Sequence, residues 1–520
     1  MADIVLINPR FEVSFWGMEH ALPLMGKRAN LPVACLPLLA ALTPSEHTVT
    51  LMDENVEAIN YERCARADIV GITGMSVQRF RMKEILAELK RRGCFTIVGG
   101  PLVTVIEDYF NGLADVIFIG EAEDTWPRFL TEWKQGLHQY RYEQIEKSDM
   151  SLVPTPRFDL LKSRHYAFGS VQFSRGCPFQ CEFCDIIVTF GRRPRIKTSP
   201  QILAELDAVT ATGMRIVFVV DDNLIGNKKA IKEVLRDVAA WQRSKGYPLT
   251  LFTEASIDLA DDPELLELMV EANMVAVFIG IESPDEASLR ETKKFQNVRA
   301  GGTLLEKVHR VQDAGIEVWC GMIMGFDNDD ETIFDRQIEF VQQAKIAYSM
   351  SGMLTAIPKT PLHARLAAEG RLDPADVPEF GTNVIPLKMS REALRDGFIQ
   401  VMNGLYEPEP YFERLDGLFI DKRLDVGRGR SQWWKSHPWA RFKAETVWLV
   451  QSIALFLRLM QGVPEKDLRR AYRKHLWKFV KFRQNPGTVF LYVLHLSMHY
   501  HAYTLANQMT SGKTAIVNSY

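Results

Sequence analysis

The chain has 520 residues, 47% hydrophobic and 24% charged, with a formal net charge of -3. That length exceeds what one hydrophobic core organises and predicts about three domains. The near-neutral balance excludes a surface built throughout for nucleic acid. Charge is uneven, however: residues 421–485 hold 16 Lys or Arg against 5 Asp or Glu, and charge-driven contacts are expected there.

Met1 leads directly into an apolar run at 4–7, with no basic stretch, long apolar core and cleavage site, so the protein is expected in the reducing cytoplasm. The seven cysteines (35, 64, 94, 177, 181, 184 and 320) are odd in number and do not form a disulfide framework. Cys94 and Cys320, in apolar strand contexts, read as buried thiols. The apolar run 446–460 is broken by Gln451 and Arg458 and falls short of the ~20 residues a membrane span needs.

Over residues 1–140, short apolar runs at 4–7, 48–52, 69–73, 95–98 and 116–119 alternate with helical patterns. This spacing predicts an α/β fold with a doubly wound, Rossmann-like parallel sheet. The runs end in Asn8-Pro9, Asp53-Glu54-Asn55, Gly74, Gly99-Gly100-Pro101 and Gly120-Glu121, at the carboxyl ends of strands where ligands sit on such sheets. Residues 141–165 are polar with Pro154 and Pro156 and read as a linker. Strand patterns at 170–174, 216–220, 249–253, 275–281, 318–323 and 352–357, separated by helical segments at 200–212, 227–245, 263–272 and 298–314, predict a partial (β/α)6 barrel over 166–368. From 369 to 520 strand signals cease and a helical extension rich in Trp, Phe, Arg and Lys is expected.

The strongest chemical signal is the loop from Ser174 to Cys184, in which Cys177, Cys181 and Cys184 form a C-x3-C-x2-C pattern directly after a strand. Three thiolates on a four-iron cluster leave one iron free for a substrate. A zinc knuckle is the alternative, but zinc wants a fourth Cys or His nearby, and the next cysteine downstream is Cys320.

This loop resembles the radical S-adenosylmethionine superfamily. The resemblance implies a [4Fe–4S] cluster on the three cysteines whose open iron binds S-adenosylmethionine, with Phe183 near the adenine. It extends to strand ends: Asp222 and Asn223, Glu254 and Ser256, Gly280 and Glu282, and Gly321 and Ile323 are the implied S-adenosylmethionine contacts. Carboxylates there can accept from the methionine ammonium or the ribose, and glycines permit close backbone approach. Asp221-Asp222-Asn223 stands where the superfamily has a Gly-Gly-Glu-like motif, so which side chain meets the ammonium is left open.

The N-terminal sheet resembles the cobalamin-binding domain of one branch of this superfamily, with Gly71, Thr73, Ser76, Gly99, Gly100, Pro101, Gly120 and Glu121 as the implied corrin contacts. The D-x-H-x-x-G motif is missing and His20 is differently spaced, so cobalamin is expected base-off with no protein histidine on cobalt. Asp53-Glu54-Asn55, Gln172-Phe173-Ser174, Cys184-Asp185-Ile186, the run 354–362 (LTAIPKTPL) and the basic aromatic tail resemble the subgroup containing the hopanoid C-2 methylase. The implied activity is methylation of an unactivated carbon of a lipid or terpenoid, using two molecules of S-adenosylmethionine and an electron donor of flavodoxin or ferredoxin type. A radical cyclase or oxidoreductase of the same domain order and a non-catalytic iron–sulfur or corrinoid sensor are the alternatives. Trp433, Trp434, Trp439, Trp448 and Trp477, among Arg441, Lys443, Arg458, Arg469, Arg470, Arg473, Lys474, Lys478, Lys481 and Arg483, suggest contact with the inner face of a membrane.

Overall fold

A computed structural model describes residues 1–520 apart from 300, 423, 483, 484, 519 and 520, so Arg483 lies outside the described residues. Six strands, β1 (Asp3–Asn8), β2 (Thr48–Asp53), β3 (Ile69–Thr73), β4 (Thr96–Gly99), β5 (Val116–Ile119) and β6 (Arg141–Glu143), form the first sheet in the order β2-β1-β3-β4-β5-β6. All its pairings are parallel. Helices cover both faces, which is why β3 and β5 are buried at every position and apolar except at Thr73. The helix Arg79–Arg91, for example, turns Met82, Ile85, Leu86 and Leu89 inward at helical spacing.

β6 lies inside the segment expected to be a linker. It carries a single apolar side chain, Tyr142, stacked on Phe118 with ring centroids 5.3 Å apart. One apolar residue in three is too little for a period-2 signal, and only the stacking partner across the sheet reveals the strand.

The second sheet is built from β7 (Gly169–Val171), β10 (Ile216–Val219), β11 (Thr250–Glu254), β12 (Met274–Glu282), β13 (Glu317–Met324) and β14 (Ser349–Met353). Its order is β14-β13-β12-β11-β10-β7, parallel throughout, with β7 and β14 as unpaired edges: an open, partial barrel. Two expectations are corrected. The run 170–174 is two strands, because after Val171 the chain turns and β8 (Ser174–Arg175) pairs antiparallel with β9 (Arg195–Ile196), lifting the cysteine loop off the barrel. The last strand ends at Met353 rather than continuing to 357; Leu354 and Ala356 leave the sheet for a separate apolar cluster with Ile323 and Phe326. The helix expected from 298 starts at Leu304, where Thr303 and Glu306 cap each other reciprocally.

The C-terminal part is helical, and its last helix, Pro486–Thr510, is buried against the barrel and the helix Arg391–Tyr406. Three histidines given no role by sequence dock it: His495 Nε2 lies 2.9 Å from Glu317, His499 Nδ1 lies 2.8 Å from the Tyr472 hydroxyl, and His501 Nε2 donates to Ser14 O at 3.0 Å. Burial depresses His499 to about 3 and His501 to about 4, so both stay neutral. Among the described residues no helix is long and apolar enough to cross a membrane. Cys320 is buried as expected, whereas Cys94 is only half-buried because it follows exposed Gly93 in the turn two residues before β4.

Candidate active site

The cysteine loop starts where β8 ends and is pinned by backbone contacts. Gly176 has φ +91°, and a Cβ there would lie 2.9 Å from Arg193 O, so the position requires glycine. Its N–H donates to Asp222 Oδ2 at 2.7 Å, and Cys177 N–H donates to Gly191 O at 3.2 Å. All seven cysteines are free thiols. The Asn223 amide donates toward Cys177 Sγ at 3.7 Å and the Gln296 amide toward Cys181 Sγ at 3.5 Å. Donors facing sulfur stabilise thiolate over thiol.

A second partner is Lys294, whose ammonium donates to Glu282 at 2.7 Å. Burial opposes its charge, but Glu282 together with the Cys181 and Cys184 sulfurs outweighs that and holds it above the ordinary lysine range. A cation fixed here offsets the negative charge that three thiolates bring to an iron cluster. The donor set therefore fits the cluster.

Strand ends of the barrel bring the other expected residues to the same end of the sheet. Asn223 donates to Ser256 Oγ at 3.1 Å, and Ser256 Oγ donates to Asp258 at 2.6 Å. Glu282 adopts φ +65° at a bulge between the Gly280–Gly321 and Glu282–Met322 pairings. A non-glycine residue in this region stores strain, as functional positions often do. Gly280 leaves the room for it, since a Cβ there would lie 2.2 Å from Glu282 Oε1. Phe183 packs against the cluster that contains Ile323 and Phe326, 6.0 Å from the Phe326 ring, forming an apolar slot beside the cysteines.

Carboxylates crowd this end. Burial, with Asp222, Asp221 and Glu282 adding, pushes Glu254 up to about 8; burial pushes Asp222 up to about 7 and Asp221 to about 6. Asp221 is fully engaged, accepting from Phe173 N–H at 2.8 Å and Ser174 Oγ at 2.6 Å. Glu254 has no ion-pair partner among the described residues and faces a cavity, whereas Lys294 is taken up by Glu282, so Glu254 is the carboxylate open to a cationic ligand.

That cavity, about 2660 Å³, lies between the carboxyl ends of the first sheet and the mouth of the barrel. Ser76 and Pro101 line it from the first sheet. Gly100, at φ +101°, leaves the backbone close to Thr73, whose Oγ1 would be 2.5 Å from a Cβ. Thr104, missed in sequence, accepts from Gly120 N–H at 3.0 Å and donates to Gly100 O. Of the eight implied corrin contacts, Ser76 and Pro101 line the cavity, and two others, Gly71 and Glu121, are engaged elsewhere. Gly71 lies inside the sheet, where a Cβ would meet Leu6 at 2.8 Å. Glu121 is buried in a charge network, 2.7 Å from Arg175 and 3.0 Å from Arg195, with Glu123 2.6 Å from Arg175. Arg175 immediately precedes Gly176-Cys177, so this network ties the first sheet to the cysteine loop.

The barrel wall of the cavity is aromatic. Phe218 and Val220, and Phe252 and Glu254, face inward at period 2. Phe218 stacks on Phe252 at 4.8 Å, Trp319 lies 5.5 Å from Phe252, and Trp16 and Phe168 complete the wall.

Comparison with known proteins agrees with this geometry. The sequence profile of the radical SAM superfamily matches residues 171–339, and that of a domain of unknown function (DUF4070) matches 360–515. The chain is 38% identical to the uncharacterized methyltransferase sll1242 of Synechocystis sp. over 95% of this chain and 90% of that one. It is 32% identical to the hopanoid C-2 methylase of Rhodopseudomonas palustris over 98% and 94%. The cobalamin-dependent S-adenosylmethionine radical enzyme OxsB, solved with aqua-cobalamin and S-adenosylmethionine bound, shares the fold with a TM-score of 0.60 at 14% identity, over 99% of this chain and 82% of that one. The chain belongs to the radical SAM superfamily, in the family that contains the hopanoid C-2 methylase and sll1242.

Proposed function

We propose that this radical SAM enzyme is a cobalamin-dependent C-methyltransferase acting on an unactivated carbon of a hopanoid-like polycyclic lipid. The observation that carries the reading is the cavity joining an aromatic barrel wall to the strand ends of the first sheet. A flat hydrocarbon fits such a wall, since it buries apolar area with few polar groups to satisfy. Relatives support the reading through the hopanoid C-2 methylase, and the fold supports cobalamin through OxsB. When bound, the cluster, S-adenosylmethionine and cobalamin supply hydrogen abstraction and a methyl group.

The chain's own residues bind, orient and exclude water. Cys177, Cys181 and Cys184 hold the cluster, with Asn223, Gln296 and Lys294 facing their sulfurs or charge. Glu254 and Asp222, both raised by burial, would take the methionine ammonium of S-adenosylmethionine; its positive charge relieves the like-charge crowding that raises Glu254. Ser256 and Glu282 border that place, Gly280 leaves the room for Glu282, and Phe183 and Ile323, with Gly321 on the same strand, would hold the adenine. Thr73, Ser76, Gly99, Gly100, Pro101 and Gly120 would face the corrin, while Gly71 and Glu121 support the sheet and the cysteine loop. Cobalamin would be base-off, His20 being held against His501 by its backbone N–H at 3.3 Å.

The decisive experiment incubates reconstituted holoenzyme with methyl-deuterated S-adenosylmethionine, a one-electron donor of flavodoxin type and hopanoid-containing lipid. Labelled methyl in the lipid, with S-adenosylhomocysteine and 5′-deoxyadenosine formed together, is expected. Consumption of S-adenosylmethionine with no methylated product would favour a cyclase or oxidoreductase and overturn the proposal.

Peripheral contact with the inner face of the membrane belongs to the same reading. Trp434 and Trp448 pack around Arg430, and Trp433 stacks on His437, so three of the five tail tryptophans serve the fold. Trp439, Phe442, Val450, Ile453 and Leu457 instead form an exposed stripe at helical spacing on the helix Pro438–Gly462, and Trp477 is 68% exposed on the next helix, Lys466–Val480. An exposed apolar stripe of this length marks an interaction surface; Arg441 is exposed on the same helix, and Arg470 and Lys478 are exposed on the next. Binding to anionic vesicles that weakens with salt is expected in co-sedimentation, with attraction of ~1 kcal/mol per basic residue near the surface. Equal failure to bind anionic and neutral vesicles at low salt would reject it.

A further inference from the structure

The active-site chemistry requires an electron from outside, and the surface over the cysteine loop is built to receive its carrier. The loop's outward segment is Pro178-Phe179-Gln180. The strand-turn 191–194 lies directly against it: Gly176 contacts Arg193 O, and Arg192 Nη2 donates to Pro178 O at 3.3 Å. Gly226 touches the loop too, with a Cβ there lying 3.3 Å from Pro178 and 3.0 Å from Pro194, and three residues on is Lys229. From the opposite side the Arg299 guanidinium sits over the Phe179 ring at 5.5 Å.

Arg192, Arg193, Lys229 and Arg299 are all exposed. None forms an ion pair among the described residues, although most Arg and Lys of the barrel do. Exposed Phe295 lies on the same side, next in sequence to Gln296, whose amide faces Cys181 Sγ. Arg192 and Arg299 meet the metal-binding loop itself, Arg193 and Lys229 are exposed on the segments that adjoin it, and four cations without an ion pair form a positive field that attracts an acidic partner and orients it on encounter.

We propose that this collar of Arg192, Arg193, Lys229 and Arg299 around Phe179 is the docking face for an acidic one-electron carrier protein, which gives up one electron to the cluster held by Cys177, Cys181 and Cys184. The inference rests on the radical SAM reading of the cysteine loop but not on the identity of the lipid substrate. The membrane stripe is a separate feature, carried by the helices Pro438–Gly462 and Lys466–Val480.

The test measures 5′-deoxyadenosine formation by holoenzyme with two reductants, dithionite and a reduced flavodoxin with an acidic surface. With flavodoxin, wild-type rates below saturation should fall at least tenfold between low and moderate ionic strength, as screening shortens the reach of the collar. Arg192→Glu/Arg299→Glu should lower flavodoxin-driven turnover more than tenfold through a raised KM for the carrier, with dithionite-driven turnover unchanged. Arg193→Gln/Lys229→Gln, which adds no repulsion, should give the same pattern more weakly. A salt-independent wild-type rate with flavodoxin, or unchanged carrier kinetics in both double variants, overturns the docking face. Loss of anionic-vesicle binding in these variants with unchanged carrier kinetics would reassign the collar to lipid and also overturn it. If wild type fails to cleave S-adenosylmethionine even with dithionite, the radical SAM reading fails; flavodoxin binding to the two double variants and to wild type, measured by fluorescence anisotropy, then still decides the face.

Discussion

Cys181→Ala protein, reconstituted with iron and sulfide, is expected to lose the about four irons per chain that wild type binds and to cleave no S-adenosylmethionine above background. A cluster held by three thiolates has no spare ligand, and Cys181 is the most buried of the three, with the Gln296 amide directed at its sulfur. Loss of one thiolate therefore leaves two ligands and a hole that solvent cannot readily fill. Cys320→Ala is the control. Its thiol is equally buried, but it faces Ser349 at 3.3 Å within the barrel core, so iron and cleavage activity should survive with a small loss of stability. Full iron content in the Cys181 variant, or tetrahedral zinc by X-ray absorption in wild type, would defeat the cluster assignment.

Arg175→Met should destabilise the protein by ~3 kcal/mol, because removing one member of a buried ion pair strands its partners. Arg175 is 8% exposed at its side chain and Glu121 1%, and the guanidinium also meets Glu123 at 2.6 Å. Arg195 remains on Glu121 and softens the loss, but Glu123 keeps only uncharged donors, the Ser148 hydroxyl at 2.8 Å and the Ala122 N–H at 3.2 Å. Since this network joins the first sheet to the residue before Gly176, the variant should also hold its cluster less tightly. Guanidinium unfolding followed by tryptophan fluorescence measures the first effect, and iron release to a chelator measures the second. The double variant Arg175→Met/Glu123→Gln should recover part of the stability, as neighbours sharing one network are non-additive. A loss below ~1 kcal/mol in the single variant would show that the network contributes little.

Much of the architecture was legible because it is local. Three cysteines within eight positions can bind one cluster whatever surrounds them, so the C-x3-C-x2-C loop announced itself. The strands β3 and β5 matched their expected limits because an apolar run closed by Thr73-Gly74 or Gly120 carries both its periodicity and its end. Glu254, Ser256, Gly280 and Glu282 could be expected at one end of the sheet because parallel barrel strands deliver their C-terminal residues to one place once their order is known.

What lay hidden depends on contacts across the chain. Lys294 looked like one of many lysines, and only the fold sets it against Glu282, 12 residues earlier, and beside the sulfurs of Cys181 and Cys184. Glu121 carried the right residue type at the right strand end for a cofactor contact, but Arg175, 54 residues on, claims it. The sixth strand is set by its pairing with β5, where Tyr142 stacks on Phe118, and His495, His499 and His501 gained their places from Glu317, Tyr472 and Ser14. The aromatic wall of Trp16, Phe168, Phe218, Phe252 and Trp319 draws on segments up to about 300 residues apart, which no window of sequence can join. Spacing along the chain was enough to read the two parallel sheets, most of their strand ends and the C-x3-C-x2-C loop. Tertiary structure alone decided which charges are paired, which tryptophans are left exposed and what shape the cavity takes, because burial and partnership arise only when distant segments meet.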